Sequence, residues 1–214
     1  MKDSSLFPEV SDADLLAASR VIARGGVVAF PTETYYGLAV DPFNANALAR
    51  LFAIKERPSG KAILVLIHSR QQLVLLVEQV EPAFRPLLDR FWPGPLTLVF
   101  PARPELSKLL TGGTGTVGVR ISSHPVANRL LAVCGKPVTA TSANISGRPP
   151  ATTAAQVKAQ FGDAVDFILD GGETPGGLGS TLVGCGDDGR CLLLRDGVVE
   201  FSQVELALGA DKAS

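Results

Sequence analysis

The sequence predicts an α/β domain built on a mixed sheet. Short apolar, β-branched runs alternate with stretches of helical periodicity along the whole chain. With 214 residues, 46% hydrophobic and 19% charged, the chain carries enough apolar material for one sizeable core. Neither an internal repeat nor a long linker marks a second domain.

Each element has its own warrant. Ser11 caps a helix through "DADLLAASRVIAR", which Gly25 and Gly26 end. "VVAF" (27–30) reads as an inner strand and runs into "PTETYYGLAVDP", a loop rich in Thr, Tyr and Gly. Asn44 or Asn46 caps "ALARLFAIKE", a helix stopped by Pro58. Strand "AILVLI" follows, then helical patterns over 71–77 and 81–91, the breaker "WPGP" and strand "LTLVFPA". "TVGVRI" (116–121) reads as a strand and "PVANRLLAVCG" (125–135) as a helix with a glycine stop. "PVTATSANISGRPPATT" begins as a short strand and becomes a polar loop. Helix "TTAAQVKAQFG", strand "DFILD", the glycine-rich "GGETPGGLGS", and strands "TLVGC" and "CLLLRDG" around a "GDDG" turn complete the domain. We place the domain over residues 12–203 and a tail over 204–214.

Composition narrows the function. Cys134, Cys185 and Cys191 form no CxxC pair, so neither a disulfide framework nor a zinc site is expected, and a reducing cytoplasm fits. The N-terminus has no apolar signal region, and no run of about 18 apolar residues marks a membrane helix, so no membrane partner is expected. A formal net charge of −1 argues against a protein that grips nucleic acid mainly through phosphates. A local basic cleft remains compatible with it.

Four segments are more polar than connection alone requires: "PTETYYG", "KERPSGK", "TSANISGRPP" and "GGLGST". Each adjoins an apolar strand, where α/β proteins bind ligands. Lys55 and Arg57 sit at a helix end, where cations also simply complement the helix dipole. Lys61, against a buried strand, calls for an anionic partner, and a phosphate chain would pair several cations at once. Thr141, Ser142, Asn144 and Ser146, with Arg148, make either a solvated turn or a phosphate-binding loop. "GTGTVG" (113–118) precedes a strand and opens no helix, so it is not a dinucleotide fingerprint, and no P-loop occurs. His124 reads as a helix border, His68 as a strand end, Trp92 as packing, and Glu33 as polar loop structure.

The segments "FPTETYYGLAVDP", "LFAIKERPSGKAILVLI", "FWPGPLTLVFPA", "TVGVRISSHPVANRLL", "KPVTATSANISGRPPATT" and "GSTLV…LLRDG" stand in the order and spacing of the YrdC/Sua5 family, from about Ala17 to Val199. The chain resembles the family's short form, which lacks the extra C-terminal domain of the long form. The resemblance implies a YrdC/RibB-like fold: a twisted mixed sheet with flanking helices around a concave, basic cleft. It implies ATP, L-threonine and bicarbonate as substrates, with threonylcarbamoyl-AMP and pyrophosphate as products. The intermediate then passes to the tRNA threonylcarbamoyl-transferase complex for t6A modification. Lys55 and Arg57 fall on the family's Lys-x-Arg motif, and Ser142 and Asn144 on its Ser-x-Asn motif, as catalytic residues. These four, with Lys61, Thr116 and Arg195, are the expected ATP contacts. Thr34, Arg120 and Ser180 are the expected threonine contacts. Mg²⁺ is expected on the ATP phosphates, with no resident metal site and no organic cofactor. The carbamate of threonine attacking the ATP α-phosphorus needs charge neutralisation and positioning, and no side-chain nucleophile. Alternative readings are a YciO-type paralogue, an RNA-binding module of tRNA or rRNA maturation that contacts tRNA through the cleft, and a carbamoyl-adenylate domain of hydrogenase maturation.

Overall fold

The computed structural model describes residues 10–186 and 188–210. The chain runs α1 (Asp12–Ala23), β1 (Val28–Pro31), β2 (Tyr36–Ala39), α2 (Ala45–Ile54), β3 (Val65–Leu66), α3 (Arg85–Phe91), β4 (Leu96–Pro101), α4 (Lys108–Thr111) and β5 (Thr116–Arg120). It continues through α5 (Pro125–Cys134), β6 (Val138–Thr139), β7 (Thr141–Ser142), α6 (Ala154–Phe161), β8 (Phe167–Ile168), β9 (Thr181–Cys185), β10 (Cys191–Arg195) and α7 (Phe201–Ala210).

The α/β class and the mixed pairing are as the sequence predicts, but the strands divide between two sheets. One is four-stranded, in the order β7-β2-β1-β8; the other is six-stranded, in the order β10-β9-β4-β5-β3-β6. Each combines parallel and antiparallel pairs. The sheets meet where β6 and β7 follow one another with Ala140 between them. Val40 N–H donates to Thr139 Oγ1 at 2.9 Å and Thr139 N–H to the Val40 carbonyl at 3.0 Å, tying β2 to this crossing.

Two apolar clusters hold the layers together. β1 is buried on both faces: Val28 and Phe30 join Leu15, Ala18 and Ile22 of α1 and Leu130 and Leu131 of α5, while Ala29 faces the other way. That second, larger cluster joins α2 (Leu48, Leu51), β2, β4 and β5. Each fully buried side chain of this kind contributes about 1.5–3 kcal/mol of transfer free energy.

Several elements differ from the sequence expectation. The loop "PTETYYGLAVDP" contains β2, because Tyr36 and Leu38 are fully buried despite the surrounding Thr and Gly. The pattern at 71–77 is a 3-10 helix over Arg70–Leu75. The pattern at 81–91 splits into a 3-10 turn, Pro82–Phe84, and α3, since Pro86 has no N–H to return to Pro82. The turn at 186–189 includes residue 187, which lies outside the described residues. The tail expected from 204 is incorrect as far as 210: α7 covers it, with Val204 and Ala207 buried in the large cluster and the helix packed on α3. An i, i+3 apolar pair is too short a signal to declare a helix alone. Residues 211–214 of that tail lie outside the described residues. Among the described residues, no helix is long and apolar enough to cross a membrane.

Candidate functional site

The site begins at the C-terminus of α2. Glu56 N–H donates to the Ala53 carbonyl at 3.1 Å and Arg57 N–H to the Phe52 carbonyl at 3.0 Å. This is a Schellman closure, with Glu56 at the left-handed position, φ 50°. The helix therefore ends at Ile54, four residues before Pro58, and the reversal sends Lys55 inward and Arg57 toward the sheets.

Lys55 is buried, 1% exposed. Its Nζ donates to the carbonyls of Ser142 (2.5 Å) and Asn144 (2.6 Å), and its own carbonyl accepts from Ser146 N–H at 2.8 Å. Burial, and then the like charge of Arg57, pull its ammonium down to about 7. In this structure the Lys55 ammonium holds the 142–146 loop from behind. Asn144 is likewise turned into its own loop. Its Oδ1 accepts from Ser142 Oγ at 2.6 Å and its Nδ2 donates to the carbonyls of Ile145 and Arg148.

Arg57 lies over the Phe52 ring, 6.0 Å from the centroid. Its Nε donates to the Lys61 carbonyl at 3.1 Å and Nη2 to the Ala62 carbonyl at 2.6 Å. Lys61 is exposed, and it is its main chain that enters this arrangement. Burial disfavours the Arg57 cation.

Across the cavity, Arg120 at the end of β5 is 3% exposed and donates through Nη1 to Glu33 Oε1 at 2.6 Å. Ser122 Oγ donates to Glu33 Oε2. Burial lowers the Arg120 pKa, and Glu33 opposes that shift. Ser180 Oγ shares a hydrogen bond with Thr97 Oγ1 at 2.8 Å, and Arg195 Nη2 donates to the Ser180 carbonyl at 2.7 Å. Burial, then the like charge of Arg120, disfavours the Arg195 cation. Thr34 Oγ1 lies 3.1 Å from Thr32 Oγ1, and Thr116 Oγ1 lies 2.8 Å from Thr114 Oγ1.

These groups surround a cavity of about 440 Å³ between the two sheets. Of the residues singled out in the sequence, Thr34, Arg57, Thr116, Arg120, Ser142, Ser180 and Arg195 line it. Lys55, Lys61 and Asn144 do not contribute to its lining. Three guanidinium groups and several hydroxyls on one cavity make a receptor for anions. Among the described residues, no cluster of three His, Cys, Asp or Glu is placed to hold a metal ion.

Sequence reasoning missed three features. Glu33, read as loop structure, is the counter-ion of Arg120; its partner is 87 positions away, so spacing gave no signal. Tyr35 lines the cavity and its hydroxyl donates to the Gly177 carbonyl at 2.5 Å, while Gly176 N–H donates to the Thr34 carbonyl at 2.7 Å. Gly176 has φ 66°, a left-handed conformation that glycine adopts without steric cost. Asp196 also lines the cavity beside Arg195. His124, by contrast, caps α5 as expected, Nδ1 accepting from Val126 N–H at 3.2 Å, and Trp92 packs with Nε1 donating to the Leu96 carbonyl.

Comparison with known proteins adds to this geometry. A family model named for Sua5, YciO and YrdC and described as telomere recombination matches residues 20–197. A threonylcarbamoyl-AMP synthase of Pyrococcus abyssi is 39% identical over 192 residues, covering 90% of this chain and 56% of its own. One from Bacillus subtilis is 38% identical over 216 residues, covering 98% of this chain and 62% of its own. This chain therefore spans a little over half the length of these two curated relatives. A crystal structure of P. abyssi Sua5 complexed with L-threonine superposes with a TM-score of 0.89 at 37% identity, over 94% of this chain and 59% of that one. With the family model matched over residues 20–197 and the fold shared over 94% of its length, this chain belongs to the Sua5/YciO/YrdC family.

Proposed function

We propose that the protein is a threonylcarbamoyl-AMP synthase, a nucleotidyltransferase acting on ATP, L-threonine and bicarbonate. The observation that carries this reading is the cavity in which Arg57, Arg120 and Arg195 converge with Thr34, Ser142 and Ser180. Its volume of about 440 Å³ is in the range of small-molecule sites. The likeness to a protein solved with L-threonine supports placing an amino acid there.

In this reading Arg120 receives the threonine carboxylate, and the hydroxyls of Thr34 and Ser180 orient the amino acid. Arg57, Arg195, Thr116 and Ser142 face the nucleotide. Lys55 and Asn144 act through the loop they hold, and Lys61 through the carbonyl that orients Arg57. The threonine amine and bicarbonate combine to a carbamate with loss of water. A carbamate oxygen then attacks the α-phosphorus of ATP, and the bond to the β-phosphate bridging oxygen breaks to release pyrophosphate. Both reactants are anions, so the guanidinium groups lower the barrier by screening their repulsion and fixing their approach. Magnesium arrives on the ATP phosphates as part of the substrate. The product passes to a cytoplasmic enzyme that transfers the threonylcarbamoyl group to tRNA.

The test is to incubate the protein with ATP, Mg²⁺, bicarbonate and threonine and follow pyrophosphate and threonylcarbamoyl-AMP by mass. Both are expected, both vanish without threonine, and Arg57→Ala lowers the rate at least 100-fold, about 2.7 kcal/mol of barrier. Full activity in Arg57→Ala would remove Arg57 from the nucleotide site. RNA binding with a steep salt dependence, and no threonine-dependent consumption of ATP, would overturn the synthase reading.

A further inference from the structure

Outside the cavity, the β9–β10 hairpin brings two thiols into register. Cys185 ends β9, Cys191 begins β10, and the two are directly opposed in the antiparallel ladder. Gly186 N–H donates to the Arg190 carbonyl at 2.8 Å, which makes 186 and 190 a hydrogen-bonded position. Alternation along the ladder then makes Cys185 and Cys191 a non-hydrogen-bonded pair. Cα atoms in such a pair lie about 4.5 Å apart with both side chains on one face. A disulfide spans Cα separations of about 4.4–6.8 Å, so the backbone already holds the two residues within bridging distance.

Both cysteines are half-buried, pack on the edge of the large apolar cluster, and are free thiols in this structure. Burial raises both thiols, and Cys191, also raised by Cys185, is pushed up to about 11. Cys134, on α5, packs against the other apolar cluster, which includes Leu15, Ala18 and Ile22 of α1. Cys-x5-Cys is neither a redox motif nor a metal spacing, so the pair carries no motif signal. It is the hairpin register that pairs them.

We infer that Cys185 and Cys191 are a disulfide-forming modification site, oxidised by small disulfides and restored by thiols. One cysteine thiolate attacks a sulfur of the small disulfide, forming a mixed disulfide and releasing one thiolate. The second cysteine loses its proton, attacks the protein-bound sulfur and expels the second small thiol. The two protein thiols lose two electrons and two protons, and one small disulfide becomes two thiols. In a reducing compartment the pair rests as thiols and closes under oxidative load. Closure staples the outer end of the hairpin. Arg195 sits beyond a register shift between Leu193 and Arg195, and its guanidinium stays anchored on Ser180.

The chain itself supplies a clean assay, because Arg190 lies between the two cysteines. The full-length protein is incubated with oxidised glutathione, remaining thiols are alkylated, and the protein is cut with trypsin. The expected product is peptide 159–190 joined to peptide 191–195, with a mass two hydrogens below their sum, separating on reduction. Cys134→Ser keeps the link and Cys191→Ser abolishes it. Backbone amide exchange of 182–185 and 191–193 slows severalfold in the oxidised protein. Alkylation of both cysteines after oxidation, glutathione adducts without the cross-link, or pairing through Cys134 would each overturn the assignment. The test is independent of the proposed synthase activity.

Discussion

Replacing Glu33 by Gln tests whether the Arg120 guanidinium is held by charge or by shape. The two side chains are 4% and 13% exposed, so water does not take over as counter-charge. With the contact at 2.6 Å and charge centres about 4 Å apart, an effective dielectric of about 20 gives an attraction of about 4 kcal/mol. Removing one member of a buried pair costs about 3–5 kcal/mol, because the other is left buried and unpaired. Gln keeps an acceptor oxygen for Arg120 or Ser122, so the loss falls at the lower end, about 3 kcal/mol. In a chain of 214 residues that lowers Tm by about 6–12 °C. Urea unfolding of Glu33→Gln, Arg120→Met and the double variant closes the cycle. The double variant is expected to be no less stable than Glu33→Gln alone, with a coupling energy of about 2 kcal/mol or more. A loss below about 1 kcal/mol in Glu33→Gln, or additive losses across the cycle, would show that the pair does not hold Arg120.

Two further outcomes follow from the end of α2. Glu56 is exposed and left-handed, so Glu56→Gly relieves backbone strain and raises the urea midpoint, a gain of about 1 kcal/mol. Unchanged or lower stability would mean that Glu56 makes a compensating interaction. Lys55 titrates near 7 when folded and near 10.4 when unfolded, so between those values the unfolded chain binds more protons. Its contribution to stability therefore rises with pH across that window and is lost as pH falls back toward 7. Unfolding free energies at pH 7, 8 and 9 are expected to climb more steeply in the native protein than in Lys55→Met, and equal slopes would contradict the depressed ammonium.

How far the sequence carried these conclusions varied with the kind of physics involved. Capping at Ser11, Asn44 and His124 was legible because cap chemistry is local, settled by residues within three positions. The inner strands were legible because β-branched apolar runs have few other uses. The residues facing the cavity were mostly found, since hydroxyl and guanidinium groups at strand ends have a restricted set of partners. What escaped was non-local. Lys55 and Arg57 look alike in sequence, yet a left-handed residue between them sends one inward and the other to the cavity wall. The Glu33–Arg120 pair and the Cys185–Cys191 pair depend on ladder register and sheet placement, which composition does not encode. The division into two sheets also went unseen, because "VTATS" reads as one extended segment.

That segment has a further consequence. Thr139 belongs to one sheet, Thr141 to the other, and Ala140 between them also lines the cavity, its N–H donating to the Leu64 carbonyl at 2.9 Å. Of the three passages of the chain between the sheets, this one has almost no slack, so neither sheet can come apart without pulling on the other. The molecule is thus expected to lose its structure in one cooperative step despite its two-sheet plan. A small molecule seated against Ala140 would brace both halves at once, so its grip would be felt as resistance of the entire chain to heat.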